Sequence, residues 1–135
     1  MHSLQRVQNT LARLILNPDM LTPSLSLLKE LHWLPVQHRI TYKIATLTHT
    51  ALQAKEPSYL YELLTPYQPP RLLRSSDQSL LNEPRTKLHL TDKSFHTAAP
   101  SIWNKLPHHL RTETNTEHFR KNLKTHLFSI AFDNE

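Results

Sequence analysis

Residues 35–54 read PVQHRITYKIATLTHTALQA, and this stretch carries the clearest helical period in the chain. A proline suits the first turn of a helix, so we expect a helix that opens at Pro35 and ends before Pro57. Apolar residues recur at three- and four-residue steps, at Val36, Ile40, Ile44, Leu47 and Ala51. Another face carries Arg39, Lys43, Thr46 and Thr50. The pattern predicts an amphipathic helix with an apolar stripe towards a core and two cations to one side.

The first sixteen residues predict another amphipathic helix. Its apolar residues share one face and are Leu4, Val7, Leu11, Leu14 and Ile15. Arg6 and Arg13 lie off that face. Asn17 and Pro18 should end the helix, because Asn tolerates the left-handed conformation of a helix stop and Pro cannot continue a helix.

Two shorter helices are predicted on either side of residues 35–54. One opens at Thr22 and Pro23, with Thr22 as the N-cap and Pro23 in the first turn, and runs to about Leu31. The other is PSYLYELL at 57–64.

The C-terminal part predicts two further helices. In AAPSIWNKLP a short helix should start at Pro100. The tetrapeptide TNTE fits a capping box, in which the Thr114 hydroxyl and the Glu117 carboxylate each bond the other residue's backbone N–H. The helix behind this box places four apolar residues on one face: Phe119, Leu123, Leu127 and Ala131.

The middle of the chain lacks a helical period. Residues 65–84 are rich in proline and serine, which is typical of a linker. From Arg85 to Leu90 basic residues alternate with threonine and leucine, a period of two that allows one short β hairpin or edge strand around 80–91. We therefore predict a mostly α fold: one small, irregular domain, 1–135, with five or six helices. It comprises a helical half, 1–64, the linker, 65–84, and a second half, 85–135.

Composition excludes several classes of function. The chain has no glycine, so neither a Walker loop nor a dinucleotide fingerprint is present. It has no cysteine, which excludes disulfides, thiolate metal sites and cysteine nucleophiles. The net charge of +5 favours anionic partners such as RNA or DNA. No apolar run is long enough to cross a membrane. We expect an intracellular protein, cytoplasmic or nuclear, with no membrane partner.

No set of residues predicts catalysis or a metal site. The four aspartates are scattered, whereas a two-metal site needs converging carboxylates. A serine triad lacks its Gly-x-Ser-x-Gly elbow. The ten histidines include no i, i+4 pair with a glutamate, and surface histidines are the favoured interpretation. We predict no catalytic residue, metal, cofactor or small-molecule ligand.

Basic and aromatic residues are the better candidates for function. They gather around the chain's two tryptophans, Trp33 and Trp103. Cations neutralise phosphates, and aromatic faces can stack on unpaired bases. The alternatives are that each Trp packs in the core and that the cations belong to a solvated face. Core packing is the favoured alternative for the tryptophans.

Several motifs occur in an order that resembles a known family. They are LKELHWLPVQHRI, LLTPYQPPRLLRSSDQ, EPRTKLHL, AAPSIWNKLPHHLR and FRKNLKTHLF. Together they resemble the region that follows the polymerase thumb in reverse transcriptases of non-LTR (LINE-type, jockey-like) retrotransposons. The resemblance covers nearly the whole chain. It is specific because of the combination, since any one motif alone is weak.

The resemblance implies a non-catalytic fragment, because the endonuclease and the palm with its metal-binding aspartates lie upstream of this region in that family. It implies a role in holding template RNA or target DNA during target-primed reverse transcription. The residues that we expect to bind nucleic acid are Arg39, Lys43, Arg85, Lys87, Trp103, Arg111, Arg120 and Lys124. Trp103 would stack on a base, and the others would contact phosphates.

Two alternatives remain open from the sequence. The apolar stripes of the first and last helices could dock on a protein, such as the polymerase portion of a retrotransposon protein. The chain could also be a remnant without a selected function. In the family the chain continues upstream of the position of Met1, so we expect that the first helix would have lost the thumb against which its apolar face packs. An exposed face of that kind promotes self-association.

Overall fold

The structure is a computed structural model that describes residues 2–69, 79–84 and 94–133. In these ranges the chain forms seven α-helices: α1 His2–Leu16, α2 Ser24–Glu30, α3 Val36–Ala54, α4 Ser58–Tyr61, α5 Phe95–Lys105, α6 His108–Arg111 and α7 Thr116–Phe132. The prediction of a mostly α fold is confirmed. The short helix α6 is an addition to the predicted set.

The segment predicted as a hairpin or edge strand, around 80–91, is described only as far as Pro84. In that part Leu81 forms one isolated antiparallel bridge with Pro66. The Tyr67 N–H donates to the Leu80 carbonyl at 2.9 Å, and the Asn82 N–H donates to the Thr65 carbonyl at 2.8 Å. The alternating residues 85–90 lie outside the described ranges, so the strand there stays a prediction.

Two helix boundaries follow the predicted signals. The Asn17 N–H donates to the Arg13 carbonyl at 2.9 Å, and Asn17 has a φ of 43°, the left-handed stop expected after α1. Helix α3 starts directly after Pro35, whose carbonyl accepts the Arg39 N–H at 3.0 Å. Local sequence was sufficient here because each signal acts within one helical turn.

Two helix starts differ from the prediction. The N-cap of α2 is Pro23 rather than Thr22, and it makes no side-chain cap bond. Helix α5 begins at Phe95, so that Pro100 lies inside it. Proline already has a helical φ, and inside a helix it sacrifices one backbone hydrogen bond without ending the helix here.

Helix α7 is capped by Asn115 and not by the predicted pair of Thr114 and Glu117. The Asn115 Oδ1 accepts the N–H groups of Glu117, at 2.9 Å, and of His118, at 3.1 Å. A side-chain amide at the N-cap position reaches both of these otherwise unpaired donors.

The chain divides into two compact units. Unit 1 contains residues 1–42 and 124–135, and unit 2 contains residues 43–123. Each unit therefore draws on both of the predicted halves, 1–64 and 85–135.

The core of unit 1 forms around the packing of α1 on α2. Its buried members are Ala12, Leu27, Leu28 and Phe132. Two glutamines fasten α1 to the segment before α3: the Gln8 amide donates to the Leu34 carbonyl at 2.9 Å, and Gln5 accepts the Val36 N–H at 2.9 Å. These bonds allow a polar face of α1 to be buried without unpaired groups.

The core of unit 2 centres on three rings, which we call the aromatic cluster: His49, Trp103 and Phe119. The His49 ring stacks on Phe119 with the ring centroids 4.1 Å apart. Trp103 lies tilted against both rings, at 6.3 Å from His49 and 5.9 Å from Phe119. All three residues are at most 1 % exposed.

The apolar stripes have different outcomes in the three long helices. In α7 the predicted face is confirmed, since Phe119, Leu123 and Leu127 are buried and Ala131 is half-buried. In α1 every residue of the predicted stripe is exposed, and the helix buries Gln8 and Ala12 instead. Burial in α3 departs in part from the predicted stripe. Of that stripe Ala51 is buried and Val36, Ile44 and Leu47 are half-buried, whereas the other buried residues are Ala45, Thr46, Thr48 and His49.

The buried threonine Thr48 of α3 has a local partner, which helps to explain why this face can be packed. The Thr48 hydroxyl donates to the Ile44 carbonyl at 2.9 Å. A threonine that bonds to its own helix in this way carries its polar atom into a core without an unpaired donor. Ile40, which belongs to the predicted stripe, is 37 % exposed.

Candidate functional site

Helix α3 presents two of the predicted phosphate-binding cations to solvent. Arg39 and Lys43 are both exposed and lie one turn apart. The helix contains no aspartate or glutamate from Val36 to Ala54. Within the described ranges neither cation has a carboxylate within salt-bridge distance. Like charges at this spacing destabilise a helix slightly, and a bound anion would remove that repulsion.

Helix α7 repeats the same spacing with Arg120 and Lys124, which are both exposed. Arg120 differs from the α3 cations because its Nη1 lies 3.0 Å from the Glu117 carboxylate. A phosphate at Arg120 would have to compete with that carboxylate. Arg85 and Lys87, the other two predicted cations of this kind, lie outside the described residues.

Trp103 is part of the aromatic cluster and presents no free face to a base. It is 1 % exposed, and its indole Nε1–H donates to the Ser79 carbonyl at 2.9 Å. A stacking residue needs an accessible ring face. The prediction that Trp103 stacks on a base is therefore replaced by the alternative, core packing.

Asn104, next to Trp103, fastens the same neighbouring segment. Its Oδ1 accepts the Leu81 N–H at 2.9 Å, and its Nδ2–H donates to the Leu81 carbonyl at 2.8 Å. Another bond joins Nδ2 to the Glu83 carboxylate at 2.9 Å. The Trp-Asn pair in the motif AAPSIWNKLP thus anchors residues 79–84 to α5, which gives this motif a structural role.

Arg111 is also removed from the predicted phosphate-binding set. It is 8 % exposed, and its Nη1 donates to the Asn104 carbonyl at 3.2 Å, near the end of α5. Its Nε has no hydrogen-bond partner. Burial lowers the pKa of the guanidinium. The side chain stabilises a helix end rather than reaching solvent.

His49 is a buried titratable residue that the sequence did not single out. Its Nε2–H donates to the Glu113 carbonyl at 2.8 Å, and its Nδ1 has no partner. Burial lowers the pKa of His49, and Arg120 adds to this shift, while the bond to the Glu113 carbonyl and the Glu113 charge oppose it. The only local signal for His49 was its position in the helical period of α3, and a histidine in a helix is ordinarily interpreted as a surface residue.

The face of α1 that carries Leu4, Val7, Leu11, Leu14 and Ile15 is called the α1 stripe below. Its residues are between 47 % and 73 % exposed. In a helix the spacing 4, 7, 11, 14 is that of a coiled-coil seam. The stripe is therefore a second candidate functional surface, of apolar rather than cationic character.

Among the described residues no group of three His, Asp or Glu side chains is placed to hold a metal ion. None of the helices in the same part of the chain is long and apolar enough to cross a membrane.

Comparison of the chain with protein-family models, with curated proteins and with solved structures finds no match. The resemblance to retrotransposon reverse transcriptases thus rests on the sequence motifs alone and stays a prediction.

Proposed function

We propose that this chain is a non-catalytic helical fragment of a retrotransposon reverse transcriptase that binds RNA or DNA through exposed cations. The observation that carries the proposal is the pair Arg39 and Lys43 on the acid-free helix α3. The retrotransposon origin is supported by the ordered motifs, and the binding by the net charge of +5.

The set of candidate phosphate contacts is smaller than the sequence predicted. Arg39 and Lys43 on α3 are its main members, and Lys124 and the paired Arg120 on α7 are secondary contributors. Trp103 and Arg111 are buried, so the predicted site residues that stay exposed within the described ranges are all cations, and phosphate contacts are the expected basis of binding. Contacts of this kind give weak, sequence-independent affinity that falls with salt, because binding releases counterions from the nucleic acid.

The test is the affinity for a labelled single-stranded RNA of mixed sequence, measured by fluorescence anisotropy over a range of salt concentrations. We expect log affinity to fall linearly with log salt in the unmodified protein. In the double variant Arg39→Gln, Lys43→Gln the slope should become shallower by about 1.4, since each lost phosphate contact on a single strand contributes about 0.7.

A charge-matched control separates a local site from the general effect of net charge. The variant Arg6→Gln, Lys105→Gln removes two other exposed cations. This variant should retain most of the slope of log affinity against log salt that the unmodified protein shows. An equal loss in both variants, or no binding of the unmodified protein at low salt, contradicts the proposal.

A second candidate function is a protein-interaction module. The exposed α1 stripe favours it, because large apolar side chains on a continuous face are a common feature of docking surfaces. The last helix no longer contributes, since the stripe of α7 is buried. The polymerase portion of a retrotransposon protein is a candidate partner. This function predicts co-purification with that portion in the absence of RNA, and loss of it in Leu4→Gln, Leu14→Gln.

A further inference from the structure

We infer that the α1 stripe is a self-association surface on which a second copy of this chain docks, helix against helix. The inference rests on the second candidate function, the interaction module, and names its partner. It is independent of binding to nucleic acid.

The size of the exposed apolar surface is the first argument. The five residues of the α1 stripe are all large apolar side chains that are between 47 % and 73 % exposed, and they form one continuous face of the helix. Met20 and Leu21 in the loop after α1 are 97 % and 95 % exposed. They add further exposed apolar surface to unit 1, and an interface of standard size buries about 800 Å² on each partner.

The geometry of the α1 stripe suits a second helix of the same kind. Leu4, Val7, Leu11 and Leu14 follow the alternating three- and four-residue steps that form the seam between paired helices. A pair related by a two-fold axis needs a surface that complements itself, and a stripe of leucine and valine satisfies this condition.

Charge placement is the third argument: two chains of net charge +5 repel each other, and an uncharged contact surface adds no local repulsion or desolvation of charges to this cost. Within α1 itself no charged residue lies next to the α1 stripe: Ser3 and Thr10 flank one side, and the face that packs in unit 1 flanks the other. Arg6 and Arg13 lie on the far side of the helix. The Arg13 guanidinium is bonded within the chain to the Thr22 carbonyl at 2.7 Å.

The experiment measures the mass of the 135-residue protein by sedimentation equilibrium over a range of concentrations. We expect a reversible monomer–dimer equilibrium that persists at high salt, since apolar burial is not screened. In the variant Leu4→Gln, Leu14→Gln the protein should be monomeric throughout. These are the two most exposed residues of the stripe, at 62 % and 73 %, and Gln has a helix propensity close to that of Leu.

A matched control removes two exposed apolar side chains elsewhere. The variant Tyr59→Gln, Leu63→Gln changes residues that are 66 % and 39 % exposed in unit 2. It should dimerise like the unmodified protein, and so should the RNA-binding variant Arg39→Gln, Lys43→Gln. A failure of RNA binding is thereby distinguished from a failure of self-association.

A second measurement does not depend on the folding of the Gln variant. The chain has no cysteine, so single cysteines can be introduced without interference. A short bismaleimide should cross-link Thr10→Cys, beside the α1 stripe, into a covalent dimer far faster than Lys55→Cys in unit 2. An unmodified protein that stays monomeric, a dimer that survives Leu4→Gln, Leu14→Gln, or equal cross-linking of both cysteines overturns the inference.

Discussion

Helices α1 and α7 are similar in length, with 15 and 17 residues, and each carries an apolar stripe with the helical period. The structure buries the stripe of α7 and exposes that of α1. In α7 the buried face includes Phe119, which stacks on His49. In α1 the buried face is Gln8 and Ala12, where a small residue and a satisfied amide allow close packing. Amphipathic periodicity thus identifies a helix without identifying the face that its own chain covers.

The largest expected effect compares one leucine from each stripe. Leu123→Ala should lower the free energy of unfolding by about 2–5 kcal/mol, because Leu123 is fully buried and its loss leaves a cavity. Leu14→Ala, at a site that is 73 % exposed, should change it by about 0.5 kcal/mol or less. Urea denaturation followed by circular dichroism, at low protein concentration, measures both. Equal losses would contradict the difference between the helices.

The next effect is the pH dependence of stability that arises from His49, whose ring stacks on Phe119 of α7. Burial lowers the pKa of His49 below its ordinary value of about 6.5, so the unfolded chain binds a proton before the native one does. Above about pH 6.5 the titration of His49 should leave the free energy of unfolding unaffected. It should fall, as the pH drops from there towards the native pKa, by up to about 1.4 kcal/mol per pH unit.

His49→Gln keeps a donor for the Glu113 carbonyl and removes the titration, so its stability should depend less on pH in this range. A residual dependence from His38 is expected, because burial lowers its pKa in the same direction. His109→Gln, at an exposed site, is the control and should behave as the unmodified protein does. An unchanged pH profile in His49→Gln would contradict the assignment.

A smaller effect tests the start of α7. Asn115→Ala should lower the free energy of unfolding by about 1 kcal/mol, because two backbone N–H groups lose their acceptor. Thr114→Ala should have little effect, although the sequence predicted Thr114 as the cap. Thermal melts of the two variants under the same conditions show which residue caps α7. A larger loss of stability in Thr114→Ala than in Asn115→Ala would support the predicted capping box instead.

The smallest effect concerns the solvated side of α7. The Glu117–Arg120 pair is exposed, so Glu117→Gln should change the free energy of unfolding by about 0.5 kcal/mol or less. The same variant frees Arg120 and removes a negative charge, and it should therefore raise the affinity for RNA at low salt. An affinity that does not rise would contradict a part for Arg120 in binding.

Much of the fold could be predicted from the sequence, but much less of the candidate site could be. The helix stop at Asn17, the start of α3 after Pro35 and the stripe of α7 were predicted from neighbours within a turn or two. Trp103 and Arg111 were included among the nucleic-acid-binding residues, although core packing was the favoured alternative for Trp103. Both are buried, and their partners are Ser79 and the end of α5. For Arg39 and Lys43 the sequence prediction of a solvent-facing pair agrees with their exposure.

The sequence by itself determined the helical character of this protein and most of its helix limits, since helix hydrogen bonds and caps connect residues at most a few positions apart. Only the tertiary structure decided which faces are buried. The Gln8 amide meets a carbonyl 26 residues away, and the His49 ring meets one 64 residues away. Such contacts leave no local pattern in the chain, and they decide that α7 packs its apolar stripe inside while α1 presents its own to solvent.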